Sequence, residues 1–574
     1  MKASDYIVSY LYQKGVTHIF EVIGGMITHL VDSADRHGQI KLVSTHHEQA
    51  AAFAAHGMGH LTGVPGVAMA TSGPGAVNLL TGIGSCYFDS VPAIFITGQV
   101  NLNEQKGTRK IRQLGFQETD IVSMARPITK AAMMIRSAGQ IPEALDEAFH
   151  IALSGRPGPV LLDFPMDIQR MDVPGMIESR QDTHVNEFKD AAALDAIFNA
   201  FNLAKRPLIL AGGGINSAHV VALFRQFVNI VKVPVVHSLM AVDVLPYNHP
   251  LRVGLIGSYG NRWANIALGN SDMLLVLGSR LDIRQTGADV LSFQSGRTIF
   301  HVDCESGEIN NRVQGCFPVI ADLQSFLPGT LKAAKGVAFS YHPDWQDEMK
   351  QMREKWPDEN EIKVDKGINP NRFMHELSLA SSQSMGYVVD TGNNQMWAAQ
   401  SLELGSEQKF ITSGGMGAMG FSLPAAIGAS FASPGYPVVQ ITGDGGMQMN
   451  IQELETIVHH KLPVKMVILN NHSYGMVRQF QQSYFQERYA STYKGYSTPD
   501  FEKVAQAYGI QAATICEAEE SIQRGLSQLW EDPGAPFLLQ VEIDPMINAY
   551  PKIAFGYPIT QMEPFVKPLD MEGT

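Results

Sequence analysis

The sequence predicts an α/β protein of three doubly wound domains with parallel sheets. Apolar runs of strand length alternate with helix-period segments along the whole chain, the pattern of βαβ units. Several of these runs end in glycine-rich turns that open a helix, as in Gly443-Asp444-Gly445, which is how open α/β sheets present ligand sites at their carboxyl edge. The 574 residues exceed one core at ~150 residues per domain. Polar or charged stretches at 171–190 and 336–370 divide them.

The first unit spans 1–170. Its opening helix carries Ile7, Tyr10 and Leu11 on one face and stops at Gly15. Gly24-Gly25 closes the first βα turn. His46-His47-Glu48 begins a helix, and Gly66–Ala70 is a strand feeding Thr71-Ser72-Gly73-Pro74-Gly75. The unit ends in the buried strand around Val160–Phe164. Residues 171–190, including Glu178, Arg180, Gln181 and Asp182, read as a linker. The second unit, 190–335, has apolar strands at Leu208–Ala211, Val233–Val236 and Met273–Leu277. Residues 336–370 read as a helix between loops bearing Pro343, Pro357 and Pro370. The third unit runs over 371–548. The tail, 549–574, is proline-rich and is expected to drape over a neighbouring domain.

Composition narrows the function. A net charge of −13 argues against nucleic acid or an anionic membrane as main partner, since both need a basic footprint. The four cysteines, Cys86, Cys304, Cys316 and Cys516, are scattered, which speaks for a reducing compartment and against a cysteine zinc site. No apolar stretch reaches membrane-spanning length, and the N-terminus lacks a signal-peptide core. The cytoplasm is the expected location. The pairs His46-His47 and His459-His460 lack metal-ligand spacing and read as structural.

The richest stretch is Gly443–Asn471. An apolar run, Val438–Thr442, leads into Gly443-Asp444-Gly445-Gly446; Met449, Leu454, Ile457 and Val458 follow at helical spacing, and Val464–Leu469 leads to Asn470-Asn471. That is strand, glycine turn, helix, strand. One carboxylate, one side-chain amide and a nearby backbone carbonyl then meet at a sheet edge. Such oxygens suit Mg²⁺, which keeps waters and borrows oxygens from a bound phosphate. Thr71–Asn78 is a second glycine-rich turn, of the kind that lets backbone approach a ligand.

Glu48, Thr71–Asn78, Gly414–Gly420 and Gly443–Asn471, in this order, resemble the thiamine-diphosphate-dependent decarboxylases and carboligases. Within that superfamily the chain resembles the acetolactate synthase large subunit. Gly115-Phe116-Gln117-Glu118-Thr119, Gly278–Arg284, Gln395–Gln400 and Gly475–Phe480 carry the same likeness, so it covers nearly the whole chain. The resemblance implies that the cofactor carries the carbanion chemistry and the protein orients it. It puts Glu48, with Gly25 and Gln117, at the catalytic positions by the pyrimidine. Asn78, Gly392, Asn393, Asn394, Gly417, Met419, Gly443, Asp444, Gly445, Gly446, Asn471, Ser473, Tyr474, Gly475 and Met476 become cofactor contacts. Asp444, Asn471 and the Ser473 carbonyl become Mg²⁺ ligands, and Phe116, Val477 and Phe480 line the substrate pocket.

The second unit resembles the family's FAD-binding domain. The positions carried over are Arg156, Gly213, Gly214, Asn216, Leu239, Gly278, Arg280, Asp282, Arg284, Asp303 and Asp322, with the flavin structural rather than redox-active. The implied activity is decarboxylation of pyruvate and transfer of the two-carbon unit to a second 2-oxoacid. The site implied is shared between subunits of a homodimer or homotetramer, with the pyrimidine end from the first unit and the diphosphate end from the partner's third. The chain departs from the family at Val22-Ile23, Met166, Ile283, Asn394 and Phe480, residues that bear on the acceptor and the flavin more than on thiamine diphosphate. Another ketone acceptor, such as a nucleotide-linked keto sugar, therefore stands as an alternative, and pyruvate oxidase as a third reading.

Overall fold

The computed structural model describes residues 1–174, 188–364, 367–516 and 519–570. The linker residues Glu178, Arg180, Gln181 and Asp182 lie outside them. Three six-stranded sheets, parallel throughout, make up the chain. The first contains β1 (His18–Val22), β2 (Lys41–Ser44), β3 (Gly66–Ala70), β4 (Ala93–Gln99), β5 (Ala131–Met134) and β6 (Pro159–Pro165), in the order β2-β1-β3-β4-β6-β5. The second contains β7 (Pro207–Ala211), β8 (Val235–His237), β9 (Arg252–Leu255), β10 (Met273–Leu277), β11 (Thr298–Asp303) and β12 (Phe317–Ile320), in the order β12-β11-β10-β7-β8-β9. The third contains β13 (Gly386–Val389), β14 (Lys409–Thr412), β15 (Val438–Gly443), β16 (Val464–Asn470), β17 (Gln511–Ile515) and β18 (Phe537–Glu542), in the order β14-β13-β15-β16-β18-β17.

Counted within each sheet, the outer two share the order 2-1-3-4-6-5, while the middle one is 3-2-1-4-5-6. The middle order is that of dinucleotide-binding sheets, whose ligands sit where the strand order reverses. Every central strand is buried along its length, from Gly66-Val67-Ala68-Met69-Ala70 to Met273–Leu277 and Val464–Asn470. This is why these strands read as continuous apolar runs rather than alternating ones.

The first and third sheets are joined by one helix pair. Helix Glu48–Thr62, rich in alanine, lies against helix Ser422–Ala432. Two glycines make the approach possible. A Cβ on Gly57 would stand 2.3 Å from the Ala425 carbonyl oxygen, and one on Gly428 would stand 1.9 Å from that of Ala54. Phe53 and Phe421 meet edge to face beside this contact, their centroids 5.4 Å apart, in a core shared by both sheets.

Two expectations changed in detail. The segment after Gly443 is not one helix: Asp444–Met449 is followed by a 3₁₀ turn, Ile451–Glu453, and then by helix Leu454–His460. The break falls at Asn450, whose amide donates to the Gly420 carbonyl at 2.8 Å. Met449 consequently points outward, while Leu454 and Ile457 are buried. The tail is more ordered than its prolines suggest. Lys552–Ile553 and Met562–Glu563 pair as an antiparallel ribbon. Ile553, Ile559 and Met562 join the middle domain's core beside Trp263 and Leu268. Arg262 clamps this arrangement with a bidentate bond to Glu361, donating also to the Glu563 carbonyl at 3.1 Å.

Candidate active site and dinucleotide cleft

Asp444 follows β15 directly, and Asn471 follows β16, the neighbouring parallel strand. Both therefore stand at the carboxyl edge of the third sheet. Asp444 is only 2% exposed, and its Oδ2 has no hydrogen-bond partner. Burial pushes its pKa up to about 6, against the Gly445 N–H and the Tyr496 side chain, which favour the ionised form. The Asn471 carboxamide lies 2.8 Å from the Ser473 carbonyl oxygen and 3.2 Å from Asp444 Oδ1. With its nitrogen turned inward it donates to both. With its oxygen turned inward, three oxygens converge with no donor between them, and only a cation makes that arrangement favourable. Among the described residues no group of three or more His, Cys, Asp or Glu gathers, so the oxygen set is one carboxylate, one amide and one carbonyl. That chemistry fits a hard cation carrying waters and a phosphate.

Glycines are required around these oxygens by space. A Cβ on Gly445 would meet the Tyr474 ring at 2.5 Å, and one on Gly446 would meet Asp390 at 2.8 Å. On Gly475 it would meet the Asn471 and Asn393 amides at 2.5 and 2.7 Å. Gly392 and Gly417 have positive φ values of 146° and 67°, in the region open to glycine. Asn393 is buried with both amide atoms unpartnered, a group left for a ligand. Asn394 instead donates to the Asp390 carbonyl at 2.7 Å and so braces the same turn. Met419 approaches the Gly445 position, and Tyr474 rests on Tyr496. Met476 turns away to pack on the third domain's core, and Gly443 extends β15 into the turn.

The motif did not include Asp390 or Tyr496. Asp390 directly follows β13 and accepts from Gly420 and Ser422 N–H groups at 3.0 and 2.9 Å, tying the Gly414–Gly420 loop to the site. An acid closing the apolar run Tyr387-Val388-Val389 was a usable signal for it. Tyr496 comes from a loop far along the chain and had none.

Glu48 opens its helix, capped by His47, whose Nδ1 accepts the Gln49 N–H at 3.1 Å. Its Oε2 accepts from Asn78 Nδ2 at 2.9 Å. Its Oε1 faces Gly75, where a Cβ would stand 3.1 Å away. Gln117 sits in the left-handed region at φ 64° and packs on Gly73, whose Cβ would fall 2.9 Å from it. Glu48 and Gln117 thus lean on the two ends of one glycine-rich turn. Gly25 begins a 3₁₀ turn with open space around it. Phe116 is 79% exposed, and Val477 and Phe480 stand on the outer face of helix Gly475–Tyr484. Asn450 links the two regions, its amide donating to Gln49 Oε1 at 3.2 Å and to the Gly420 carbonyl at 2.8 Å.

A cleft of about 580 Å³ opens beside the middle sheet, within the range of small-molecule sites. All eleven residues carried over for FAD line it. It opens at the carboxyl ends of β7 and β10, where the strand order reverses. There Gly212 and Gly214 press on Gly278: a Cβ on Gly212 would lie 2.1 Å from the Gly278 oxygen. Several of these residues also serve the fold. Asp282 and Asp322 cap helices Ile283–Thr286 and Leu323–Ala333, and Asp303 accepts the Glu305 N–H at 2.9 Å. Arg280 donates to Asp282 at 3.3 Å. Asn216 donates to Asp243 at 2.8 Å. Leu239 begins a 3₁₀ turn on the cleft wall and Arg284 is exposed at its mouth. Arg156 is held by Glu305 and Glu308, both at 2.9 Å.

Parallel sheets of this order with an oxygen-lined carboxyl edge suit a diphosphate cofactor, and comparison with known families shows which class of enzyme this is. Residues 1–124 match the thiamine pyrophosphate enzyme N-terminal TPP binding domain, 194–329 the central domain, and 390–541 the C-terminal TPP binding domain. The chain is 35% identical over 98% of its length to the acetolactate synthase isozyme 2 large subunit of Escherichia coli, covering 99% of that protein. It is 36% identical, over its full length and 96% of the relative, to a probable acetolactate synthase large subunit of Methanocaldococcus jannaschii. Acetolactate synthase 2 of Nicotiana tabacum is 36% identical over 97% of this chain and 84% of its own. The chain therefore belongs to the thiamine pyrophosphate enzyme family and, within it, to the acetolactate synthase-like enzymes.

Proposed function

We propose that the protein decarboxylates pyruvate and joins the remaining two-carbon unit to the carbonyl carbon of a second 2-oxoacid. One carbon–carbon bond breaks as CO₂ leaves, one forms, and one proton is taken up on the acceptor's carbonyl oxygen. Thiamine diphosphate, when bound, supplies the carbanion and the electron sink for both events. The observation that carries this reading is the oxygen set of Asp444, Asn471 and Ser473 beside the unpartnered Asn393 amide. It is a cradle for Mg²⁺ and a diphosphate.

In this reading Asp444 and Asn471 hold the metal through side chains, and Ser473 through its carbonyl. Glu48 is the acid–base residue: Asn78 occupies one of its oxygens, leaving the other to hold a proton at the pyrimidine ring. Gln117 and Gly25 border the pyrimidine, and Phe116, Val477 and Phe480 border the substrate. Met419 shapes the thiamine. The placing of Glu48 and Asp444 on different domains, together with the likeness to acetolactate synthase large subunits, supports a homodimer as the smallest complete catalyst, with two equivalent sites. The middle cleft is assigned to FAD in a structural role, supported by its strand order and its glycine approach at the switch point. The acidic balance and the scattered cysteines support a cytoplasmic enzyme; among the described residues no helix is long and apolar enough to cross a membrane.

The test is direct. Enzyme reconstituted with thiamine diphosphate, Mg²⁺ and FAD should release CO₂ from pyruvate and yield 2-acetolactate by mass analysis. Absence of CO₂ would refute the donor assignment. Oxygen consumption without a coupled product would mark an oxidase instead.

A further inference from the structure

The segment from Asn101 to Asp120 connects β4 to the next helix and contains only a short 3₁₀ turn, Leu102–Glu104. Loops of this length inside a compact domain are usually functional. This one is basic in an acidic protein. Lys106, Arg109, Lys110 and Arg112 fall within one short run, and no acid occurs between Gln105 and Gln117. Arg109, Lys110 and Arg112 are exposed. Among the described residues none of the four makes an ion pair. The flanking acids are already engaged: Glu104 accepts from Asn101, and Glu118 turns inward and accepts the Lys106 and Leu114 N–H groups at 2.6 and 2.8 Å. It pins both ends of the basic run and leaves the cations facing out. Arg109 is braced on the backbone, donating to the Gln105 carbonyl at 3.2 Å.

The same loop runs into the active site. Phe116 and Gln117 follow Arg112 closely, and Gln117 packs on Gly73 in the turn that also receives Glu48. Five extended residues span at most about 17 Å. A molecule with its carbonyl at the Gln117 end and an anionic group at Arg112 therefore needs no more than that length. Ile111, Leu114 and Phe116 are exposed among the cations, so apolar and aromatic surface alternates with charge.

We propose that this loop binds the phosphate or diphosphate of a second class of acceptor, a ketone carrying a phosphate ester or nucleoside diphosphate, alongside simple 2-oxoacids. A single carboxylate does not require four unpaired cations, whereas a diphosphate offers several charges and many acceptor oxygens to Arg and Lys. The inference rests on the carboligase reading only for the fate of the ketone.

The probe is uridine diphosphate, titrated by calorimetry into holoenzyme saturated with thiamine diphosphate, Mg²⁺ and FAD. Wild type is expected to bind it, more weakly as salt rises. The double variant K110Q/R112Q should bind about tenfold more weakly or worse at unchanged unfolding midpoint, and K110R should keep wild-type affinity. No binding by wild type, or equal binding by the double variant, overturns the proposal. Pyruvate binding to the loop as tightly as uridine diphosphate overturns it too, as does a double variant that binds normally but dissociates into smaller species. CO₂ release from pyruvate alone is read separately: its absence sinks the carboligase reading and leaves the calorimetric result standing.

Discussion

The first and third domains have the same strand order and opposite characters at the sheet edge. In the first, the carboxylate of Glu48 is half-buried at a helix start, with one amide donor, Asn78, and Gly75 close by. In the third, Asp444 is buried, one oxygen has no partner, and the Asn471 carboxamide lies 3.2 Å from the other. The difference teaches that topology delivers a residue to an edge and the neighbours then decide its chemistry. A solvated carboxylate with one donor is fit to exchange a proton. A desolvated one among oxygens is fit to hold a cation.

The largest effect should come from removing the cation cradle. Asp444→Asn is expected to lower CO₂ release from pyruvate by about 10³-fold or more and to weaken Mg²⁺-dependent thiamine diphosphate binding in parallel. Normal cofactor affinity in this variant would break the comparison outright.

Glu48→Gln should separate the two domains' roles. Turnover is expected to fall by about 10²- to 10⁴-fold, the usual worth of a positioned acid–base group, while calorimetry still shows cofactor bound. Loss of binding rather than turnover would move Glu48 into the anchoring set.

Proton competition sharpens the contrast next. Asp444 has a folded pKa raised to about 6 from 3.8, so the metal-free protein holds an extra proton between those values. Its contribution to stability is therefore best below about pH 4 and is lost as pH rises through about 6. Metal binding runs the other way, because a protonated carboxyl is no ligand. Apparent Mg²⁺ affinity should fall about tenfold per unit below about pH 6 and level off above it. A flat profile between about pH 5 and about pH 7.5 would show that another group holds the metal.

The smallest effect on turnover is expected where the two domains touch. Gly428→Ala drives a methyl into the Ala54 carbonyl and should cost about 1–3 kcal/mol of stability. The check is the unfolding midpoint of the apoprotein. An unchanged midpoint would mean that the helices separate freely.

Much of this was legible in the sequence because it is local. The apolar runs are strands since buried parallel strands tolerate little else, and Gly445, Gly446 and Gly475 mark turns where a Cβ would strike Tyr474, Asp390 or Asn471. Features set by distant residues carried no such local signal. The helix-like spacing through Met449 missed the break at Asn450, whose cause is a bond to Gly420. The proline-rich tail hid a ribbon whose partners are Trp263, Leu268 and Arg262, far away in the chain.

By itself, then, the sequence determined the three parallel sheets, since periodicity and glycine placement are properties of neighbouring residues, and its ordered motifs carried the likeness to the family. Tertiary structure alone decided what those residues meet. It set Asp390 and Tyr496 beside Asp444, and Glu305 and Glu308 on Arg156. It also turned Glu118 inward beneath an outward-facing basic loop. Each of these depends on which distant groups share a buried or exposed space, and burial and charge pairing are fixed only when the chain folds.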